Sequence, residues 1–140
     1  MAFDDVVKLL DETPVVAIVT RRQSGDPTAT PIWSMVVDGA PYVRSAYGES
    51  GWWCRHVRAG RPVAFVAADG AVAESDRAAA LELPRVDVTL TPVPADDAVQ
   101  QAISAEIERK YAGSSRSSID PMLSAEALAA TFRVGPAAAS

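Results

Sequence analysis

Residues suited to binding an anion lie close together in the segment TATPIWSMVVDGAPYVRSAYGESGWWCRHV, residues 28 to 57. Arg44 stands in the middle of a predicted strand and is followed by Ser45. A guanidinium matches the geometry of a phosphate with paired hydrogen bonds, and a hydroxyl adds a further donor. The loop from Gly48 to Gly51 could add backbone amides. This pattern predicts an anion clamp, although Arg44 could instead pack its stem over the sheet.

Tryptophans flank this predicted clamp. Trp52 and Trp53 are adjacent, and Trp33 lies on the preceding strand. Neighbouring positions on a helix point about 100° apart, so both indoles rarely serve one core. They could act as core or interface anchors, or as the flat walls of a ligand site. Flat aromatic walls beside a phosphate-binding arginine suit an aromatic ring with a phosphorylated tail, as in a nucleotide-like cofactor.

Other reactive side chains offer no defined catalytic set. His56 has no convincing partner as a base, and a surface or capping role is the alternative. Cys54 beside Arg55 could be an activated thiol or a partly buried inert one. With one histidine and one cysteine, a single chain cannot assemble an ordinary zinc site. We therefore assign no catalytic residue and no metal from the sequence.

Composition narrows the class of protein. The chain has 140 residues, a net charge of −5 and a pI of about 4.8. Such an acidic chain has no overall attraction to nucleic acid or anionic membranes, and its apolar runs are shorter than the roughly 20 residues of a membrane helix. A lone cysteine and an N-terminus without a signal-peptide pattern predict a cytoplasmic protein.

The first half of the chain reads as a helix followed by hairpin-connected strands. The segment FDDVVKLLDE predicts a short amphipathic helix, and PVVAIVT predicts a buried strand. A turn over RRQSGDP leads into a second strand over residues 28 to 37. Asp38-Gly39 is a strong hairpin signal, after which PYVRSAY forms the third strand.

The second half predicts further strands and helices. WWCRHVRAG suits a short helix, RPVAFVAADG a strand, and RVDVTLTPV a strand with one wet face. Residues 71 to 83 could be a strand or a loose connection. ADDAVQQAISAEIERKYAG predicts a long helix, SSRSS a loop, residues 123 to 127 a helical turn and ATFRV the last strand. These elements predict one small α+β barrel over residues 1 to 136 and a loose tail over 137 to 140.

The stretch SGDPTATPIWSMVVDGAPYVRSAYGESGWWCRHVRAGRPVAFV resembles the flavin- and deazaflavin-binding split barrels, the pyridoxamine 5′-phosphate oxidase-like superfamily. The similarity is greatest to a small bacterial family of unknown function within that superfamily. The matching motifs are Pro31-Ile32-Trp33, Tyr42-Val43-Arg44-Ser45, Trp53-Cys54-Arg55, Lys110-Tyr111 and the closing ATFRV.

The resemblance implies a six-stranded antiparallel split β-barrel with flanking helices, forming a homodimer with FMN or a deazaflavin coenzyme at its interface. By position, the strand Thr30, Pro31, Ile32 and Trp33 would line the ring, with Trp53 as a further wall. Arg44, Ser45 and Arg55 would contact the phosphate. The lysine common after the third strand of the oxidase branch is missing, and Asp26 follows the Ser-Gly turn where deazaflavin-binding members carry a basic residue.

The resemblance therefore implies a flavin- or deazaflavin-dependent oxidoreductase that acts on a small organic molecule. Tyr42, Tyr47 and Ser45 are the candidate proton donors near the site. The alternative is a non-catalytic ligand-binding split barrel that has lost its cofactor-dependent activity, because a fold alone does not establish a reaction.

Overall fold

The computed structural model describes residues 2–137, so the predicted tail lies outside the described residues except for its first residue. Within that range the chain forms seven strands: β1 (Val16–Arg21), β2 (Pro27–Ile32), β3 (Ser34–Val37), β4 (Ala40–Arg44), β5 (Val63–Val66), β6 (Arg85–Pro92) and β7 (Thr131–Pro136). The helices are α1 (Phe3–Glu12), α2 (Trp52–Arg58), α3 (Ala71–Ser75), α4 (Arg77–Leu81), α5 (Val99–Lys110), α6 (Arg116–Met122) and α7 (Ala125–Ala129).

All strands belong to one antiparallel sheet in the order β2-β1-β5-β6-β7-β4-β3. The two edge strands, β2 and β3, are consecutive in the chain and are separated only by Trp33. The sheet must therefore curl until its two edges lie side by side. The result is the α+β split barrel with flanking helices that the sequence predicts.

Trp33 also accounts for the difference between six predicted strands and seven observed ones. The predicted strand over residues 28 to 37 is divided there, because β2 pairs with β1 while β3 pairs with β4. Just after the break, the amide of Ser34 donates to the hydroxyl of Tyr111 at 3.0 Å. Period-two patterning marks both halves as strand but cannot show that they pair with different partners.

The hairpin predicted at Asp38-Gly39 is confirmed. Asp38 and Gly39 have φ values of +50° and +78°, as a two-residue turn between twisted strands requires. Val37 and Ala40 face each other across the turn. This register places Ser34 opposite Val43 and Met35 opposite Tyr42, so the turn aligns the two strands beside the predicted site.

The barrel interior is apolar and is closed by α1 and α2. Val16 and Ile18 of β1 point into it, together with Phe65 and Phe132. The alternate residue Ala17 points outward and packs under α3 and α4. β1 is therefore buried on both faces, which explains why PVVAIVT reads as a continuous apolar run.

Residues 71 to 83, for which the sequence left a strand or a loose connection open, form the helices α3 and α4. Asp76 begins α4 by accepting a hydrogen bond from the amide of Ala79 at 3.1 Å. Gly70 precedes α3 in close contact with β1, since a Cβ there would lie 2.4 Å from the carbonyl carbon of Val16. Alanine-rich helices of this kind lack the large apolar residues that make helical periodicity visible in a sequence.

At the C-terminal end, α5 packs on β3 through Ile103, Ile107 and Met35. It begins at Val99 and is shorter than predicted. The stretch SSRSS was predicted as a loop, but its last three residues form the first turn of α6, which begins at Arg116. The predicted helical turn near residues 123 to 127 lies at α7. Within residues 2–137, no helix has the length and apolar character needed to cross a membrane.

Candidate functional site

A cleft of about 500 Å³ opens where β2 meets α2, and we call it the indole pocket. Its walls come from the chain segment Thr30–Trp33, from the start of α2 and from α6. All three tryptophans of the sequence are among the lining residues. Pro31, Ile32 and Met122 add apolar surface. A flat apolar cleft of this size suits an aromatic ring system.

The structure brings most of the predicted cofactor-binding residues to this pocket. Those that line it are Thr30, Pro31, Ile32, Trp33, Arg44 and Trp53. Arg55 lines a neighbouring pocket instead. Ser45 lies below the surface at 2 % exposure and lines neither pocket.

The three indoles occupy different environments. Trp52 is 71 % exposed and stands at the rim of the pocket, whereas Trp53 is 5 % exposed and packs against Phe132 in the barrel. Trp33 stacks on Tyr111, with ring centroids 3.9 Å apart and planes 5° apart. Trp52 is thus available to a ligand or a partner chain, while Trp33 is held in a fixed orientation.

Arg44 is 1 % exposed and is surrounded by acceptors of the protein itself. Its Nε donates to Thr131 Oγ1 at 2.9 Å, and its Nη1 donates to Ser104 Oγ and to the carbonyl of Met122. Its Nη2 donates to the side-chain oxygen of Gln100 at 2.6 Å and to the Gln100 carbonyl at 3.5 Å. These contacts occupy the five donors of a guanidinium. The hydrogen bonds connect β4 to β7, α5 and α6. A phosphate-binding role for Arg44 stays a prediction.

Gln100 completes the same buried network. Its side-chain amide nitrogen donates to the carbonyl oxygens of Pro94 and Leu128 at 3.1 and 3.0 Å, and of Val93 at 3.5 Å. Burial lowers the pKa of Arg44 to about 10, so the guanidinium keeps its charge near neutral pH. A buried charge is tolerated because each of its donors meets an oxygen.

Ser45 helps to set the position of α2. Its amide donates to the carbonyl of Ala130 at 3.0 Å. A Cβ on Gly51 would lie 2.6 Å from Ser45 Oγ, so a larger residue at the start of α2 would require the Ser45 hydroxyl to move. Ser45 thus packs against the residue that precedes Trp52.

A second, larger cleft of about 890 Å³ adjoins the first, and we call it the arginine pocket. Four arginines line it: Arg22 from the turn after β1, Arg55 from α2, Arg61 after α2 and Arg77 from α4. Thr28, Gln23 and His56 add polar groups. The two pockets share Thr30, Trp52 and Arg77, so one ligand could extend from one pocket into the other.

Within residues 2–137, the arginines of this pocket have no ion-pair partners, and no carboxylate lines the pocket. Arg61 donates to the carbonyl of Arg21 at 3.1 Å, and the guanidinium of Arg55 lies 5.3 Å from the centre of the Trp52 ring. Grouped guanidinium groups without ion-pair partners raise the local positive potential, which favours the approach of anions.

His56 lies at the buried side of the arginine pocket and is 7 % exposed. Its Nδ1 is 2.8 Å from the hydroxyl of Thr20. Burial and the charges of Arg61, Arg22 and Arg55 lower its pKa from the ordinary 6.5, so the imidazole is neutral at pH 7. Cys54 is fully buried, and burial raises the pKa of its thiol, which argues for an inert side chain.

Lys110 and Tyr111 form a structural connection beneath Trp33. Lys110 Nζ donates to the carbonyl oxygens of Leu10 and Ser34 at 2.7 and 2.8 Å. The Tyr111 hydroxyl donates to the carbonyl of Pro14 at 2.6 Å. The pair joins the end of α5 to α1 and β3, and neither residue lines either pocket.

Sequence reasoning missed part of this arrangement. Of the four arginines, it gave only Arg55 a phosphate-binding role, and it gave Arg22, Arg61 and Arg77 none. Arg55 lies 33 positions after Arg22, and Arg77 lies 16 positions after Arg61, so no local sequence pattern groups the four arginines. Antiparallel pairing of β1 with β2 and of β1 with β5 is what brings these segments together. Tyr47, Ser117 and Ser118 also line the indole pocket.

Residues 6–134 match the model of a family described as an uncharacterized protein conserved in bacteria (DUF2255). A comparison with curated proteins found no match. Among the described residues, no group of three or more histidine, cysteine, aspartate or glutamate side chains is placed to hold a metal ion.

Several solved structures share the fold. The conserved hypothetical protein Rv2991 from Mycobacterium tuberculosis is 16% identical with a TM-score of 0.59, covering 100% of this chain and 82% of that one. HutZ, the heme storage protein from Vibrio cholerae, is 14% identical with a TM-score of 0.64, covering 96% and 89%. The FAD and heme binding protein from Mycobacterium smegmatis is 21% identical with a TM-score of 0.51, covering 97% and 66%. At these identities the likeness is one of fold.

Proposed function

Because the chain belongs to this bacterial family, whose description names no activity, its function must be argued from its own site, and we propose that it binds a flavin-type cofactor. The ring of FMN, FAD or a deazaflavin would occupy the indole pocket, and the phosphorylated tail would reach the arginine pocket. One observation carries the proposal. An aromatic-walled cleft opens directly into a cleft lined by four arginines without ion-pair partners in the described part of the chain.

The ring side of the site rests on backbone and apolar surface. Thr30–Trp33 offers the edge of β2, whose residues lie next to the barrel seam. Trp52 at the rim could stack on a bound ring, and such stacking contributes roughly 0.5–1.5 kcal/mol beyond the buried area. Trp33 is already stacked on Tyr111 and offers its pocket-facing surface in a fixed orientation.

The phosphate side of the site would be formed by Arg22, Arg55, Arg61 and Arg77 rather than by Arg44. The donors of Arg44 all have protein partners, whereas the four pocket arginines have no ion-pair partner among the described residues. Arginine forks bind phosphate oxygens in pairs, and each charged hydrogen bond contributes about 1.5–3 kcal/mol. We therefore retain the proposed phosphate contact of Arg55, now together with Arg22, Arg61 and Arg77.

We further propose that the protein is an oxidoreductase that acts on a small organic molecule. A flavin would supply the hydride chemistry when bound, and the chain would bind, orient and shield the ring. Tyr47, Ser117 and Ser118 are the hydroxyl groups of the indole pocket that could hold a substrate oxygen or donate a proton.

The second candidate is a binding protein without catalysis. It is favoured by one observation, since no carboxylate, histidine, cysteine or lysine lines the indole pocket. A proton would have to come from a hydroxyl or from solvent. The solved structures described as heme storage and as FAD and heme binding show that proteins of this fold can hold large flat ligands. Neither His56 nor Cys54 lines the indole pocket, so Tyr47 and Met122 are the side chains there that could ligate a heme iron. The hemin titration described below distinguishes heme from flavin.

A homodimer would complete the proposed site. Tyr47 is 80 % exposed and Trp52 is 71 % exposed, and both stand at the mouth of the indole pocket. Two large exposed aromatics at one opening suit burial by a second copy of the chain, with the cofactor between them. Light scattering of the purified protein, with and without FMN, tests this arrangement. A monomer at all concentrations in both conditions would contradict it.

The primary experiment is a fluorescence titration of tag-free protein with FMN, riboflavin, FAD, the deazaflavin coenzyme and hemin. Riboflavin has the same ring as FMN without the phosphate, so it isolates the contribution of the arginine pocket. We expect saturable FMN binding at least tenfold tighter than riboflavin binding, a difference of about 1.4 kcal/mol. Arg61→Gln should remove most of that difference, and the exposed strand residue Arg133 provides the control variant Arg133→Gln. Equal affinities for FMN and riboflavin would show that the phosphate does not bind in the arginine pocket. No binding of any of these ligands would refute the proposal.

A further inference from the structure

The arginine pocket contains one group that can change its charge near neutral pH. His56 is the only histidine in the sequence, and its ring lies at the buried side of the pocket. Its Nδ1 is 2.8 Å from the hydroxyl of Thr20, a residue of β1 that is itself buried. A threonine hydroxyl can donate to a neutral imidazole or accept from a charged one, so it permits either protonation state.

The charged groups that face His56 are all cations. Arg55 comes from its own helix, Arg22 from the turn after β1, Arg61 from the segment after α2 and Arg77 from α4. The side chain of Trp52 covers another side, with ring centroids 6.4 Å apart. Among residues 2–137, no carboxylate lines the pocket, so these residues offer no negative charge there to stabilise a protonated imidazole.

We propose that His56 is a proton-carrying ligand of the anion site, which is neutral in the empty protein and takes up a proton when a dianionic phosphate or sulfate enters the arginine pocket. The inference rests on the proposed anion site and adds a role for the histidine within it. A bound dianion offsets the guanidinium charges that disfavour a cationic imidazole. The imidazolium then becomes a further positive charge in contact with the ligand.

The direction of the pH dependence follows from this coupling. In the empty protein the arginines and burial hold the pKa of His56 below 6.5, and a bound dianion raises it. Affinity should therefore increase as pH falls through the interval between the two pKa values and level off below the lower one. Each unit by which binding raises the pKa makes binding about tenfold tighter at low pH.

Because His56 is the only histidine, its imidazole proton signals are assigned without ambiguity in the NMR spectrum of tag-free protein. The experiment is a pH titration of those signals in sodium sulfate and, as control, in sodium chloride of equal ionic strength. Sulfate keeps its charge across this range, so any pH dependence belongs to the protein. We expect a higher His56 pKa in sulfate, and a smaller rise in Arg61→Gln.

The possible outcomes separate the two proposals. An unchanged His56 pKa, with sulfate still shifting the tryptophan fluorescence of the protein but not that of Trp52→Phe, would overturn the role of His56 and leave the arginine pocket as an anion site. No response of either signal to sulfate beyond that of chloride would overturn both. His56→Asn, which keeps an amide near the Nδ1 position, should bind sulfate with an affinity that does not depend on pH.

Discussion

Arg44 Nη2 donates to the side-chain oxygen of Gln100 at 2.6 Å, and this bond joins β4 to α5 in the interior of the protein. Four further hydrogen bonds connect the same guanidinium to Thr131, Ser104, Met122 and the Gln100 backbone. A residue that reads as a ligand clamp in the sequence is the centre of a polar network in the structure.

The first prediction concerns the shape of that arginine. Arg44→Lys should destabilise the fold by about 2–4 kcal/mol. An ammonium has three donors and cannot reach all the oxygens that accept hydrogen bonds from the Arg44 guanidinium. Urea unfolding followed by circular dichroism measures the change. Arg133→Lys, at an exposed position of β7, should stay within about 0.5 kcal/mol of the parent. A stable Arg44→Lys protein with impaired FMN binding would restore the ligand role of Arg44.

The second prediction separates the two adjacent indoles. Trp53→Ala should cost about 3–5 kcal/mol of stability, since Trp53 is buried against Phe132. Trp52→Ala should change stability by less than about 1 kcal/mol, because the ring is largely exposed, but it should weaken flavin binding. Thermal unfolding and the FMN titration together measure both effects. The opposite assignment, with Trp52 essential for folding, would contradict the structure.

The third prediction tests the close contact between Gly70 and β1. Gly70→Ala should destabilise the protein by about 3 kcal/mol or more, because the new methyl group would meet the backbone of Val16 and neither segment can easily move. Gly113→Ala is the matched control, since a Cβ there meets nothing within 4 Å. Equal urea midpoints for the two variants would show that the contact is not as close as described.

The fourth prediction concerns stability at alkaline pH. Burial lowers the pKa of Lys110 from 10.5 to about 8, so the folded protein binds fewer protons than the unfolded chain between these values. The free energy of unfolding should therefore gain a contribution that increases from about pH 8 upward. Burial raises the pKa of Tyr111 from 10.0 to about 12, and in that interval the tyrosine acts in the opposite direction, so stability falls.

Urea unfolding between pH 7 and 11 measures both effects as a maximum near pH 10. Lys110→Met should remove the increase that begins at about pH 8, whereas the same change at the exposed Lys8 should leave it in place. A profile that is unaltered by Lys110→Met would mean that Lys110 is as well hydrated in the folded protein as in the unfolded chain.

The sequence by itself determined the elements whose signals are local. α1 follows from amphipathic spacing and α2 from the glycine that closes it, Gly60, whose φ is +79°. The β3–β4 hairpin follows from the φ values that Asp38-Gly39 readily adopts. Family motifs extended this to the split-barrel fold. The segment Thr30–Trp33, predicted to line a cofactor ring, lies at the indole pocket together with the other tryptophans, and its ring-binding role stays a prediction.

Only the tertiary structure decided which partners these elements meet. The division of one predicted strand at Trp33 depends on pairing with β1 on one side and β4 on the other. The partners of Arg44 lie 56 to 87 residues further along the chain, and the four pocket arginines come from segments spread over residues 22 to 77. Local propensity cannot reveal such pairings, because they depend on the spatial order of the strands in the sheet. In the structure Arg44 is the centre of a buried polar network, and its phosphate-binding role stays a prediction. The pocket lined by four arginines lies elsewhere, beside β1, α2 and α4.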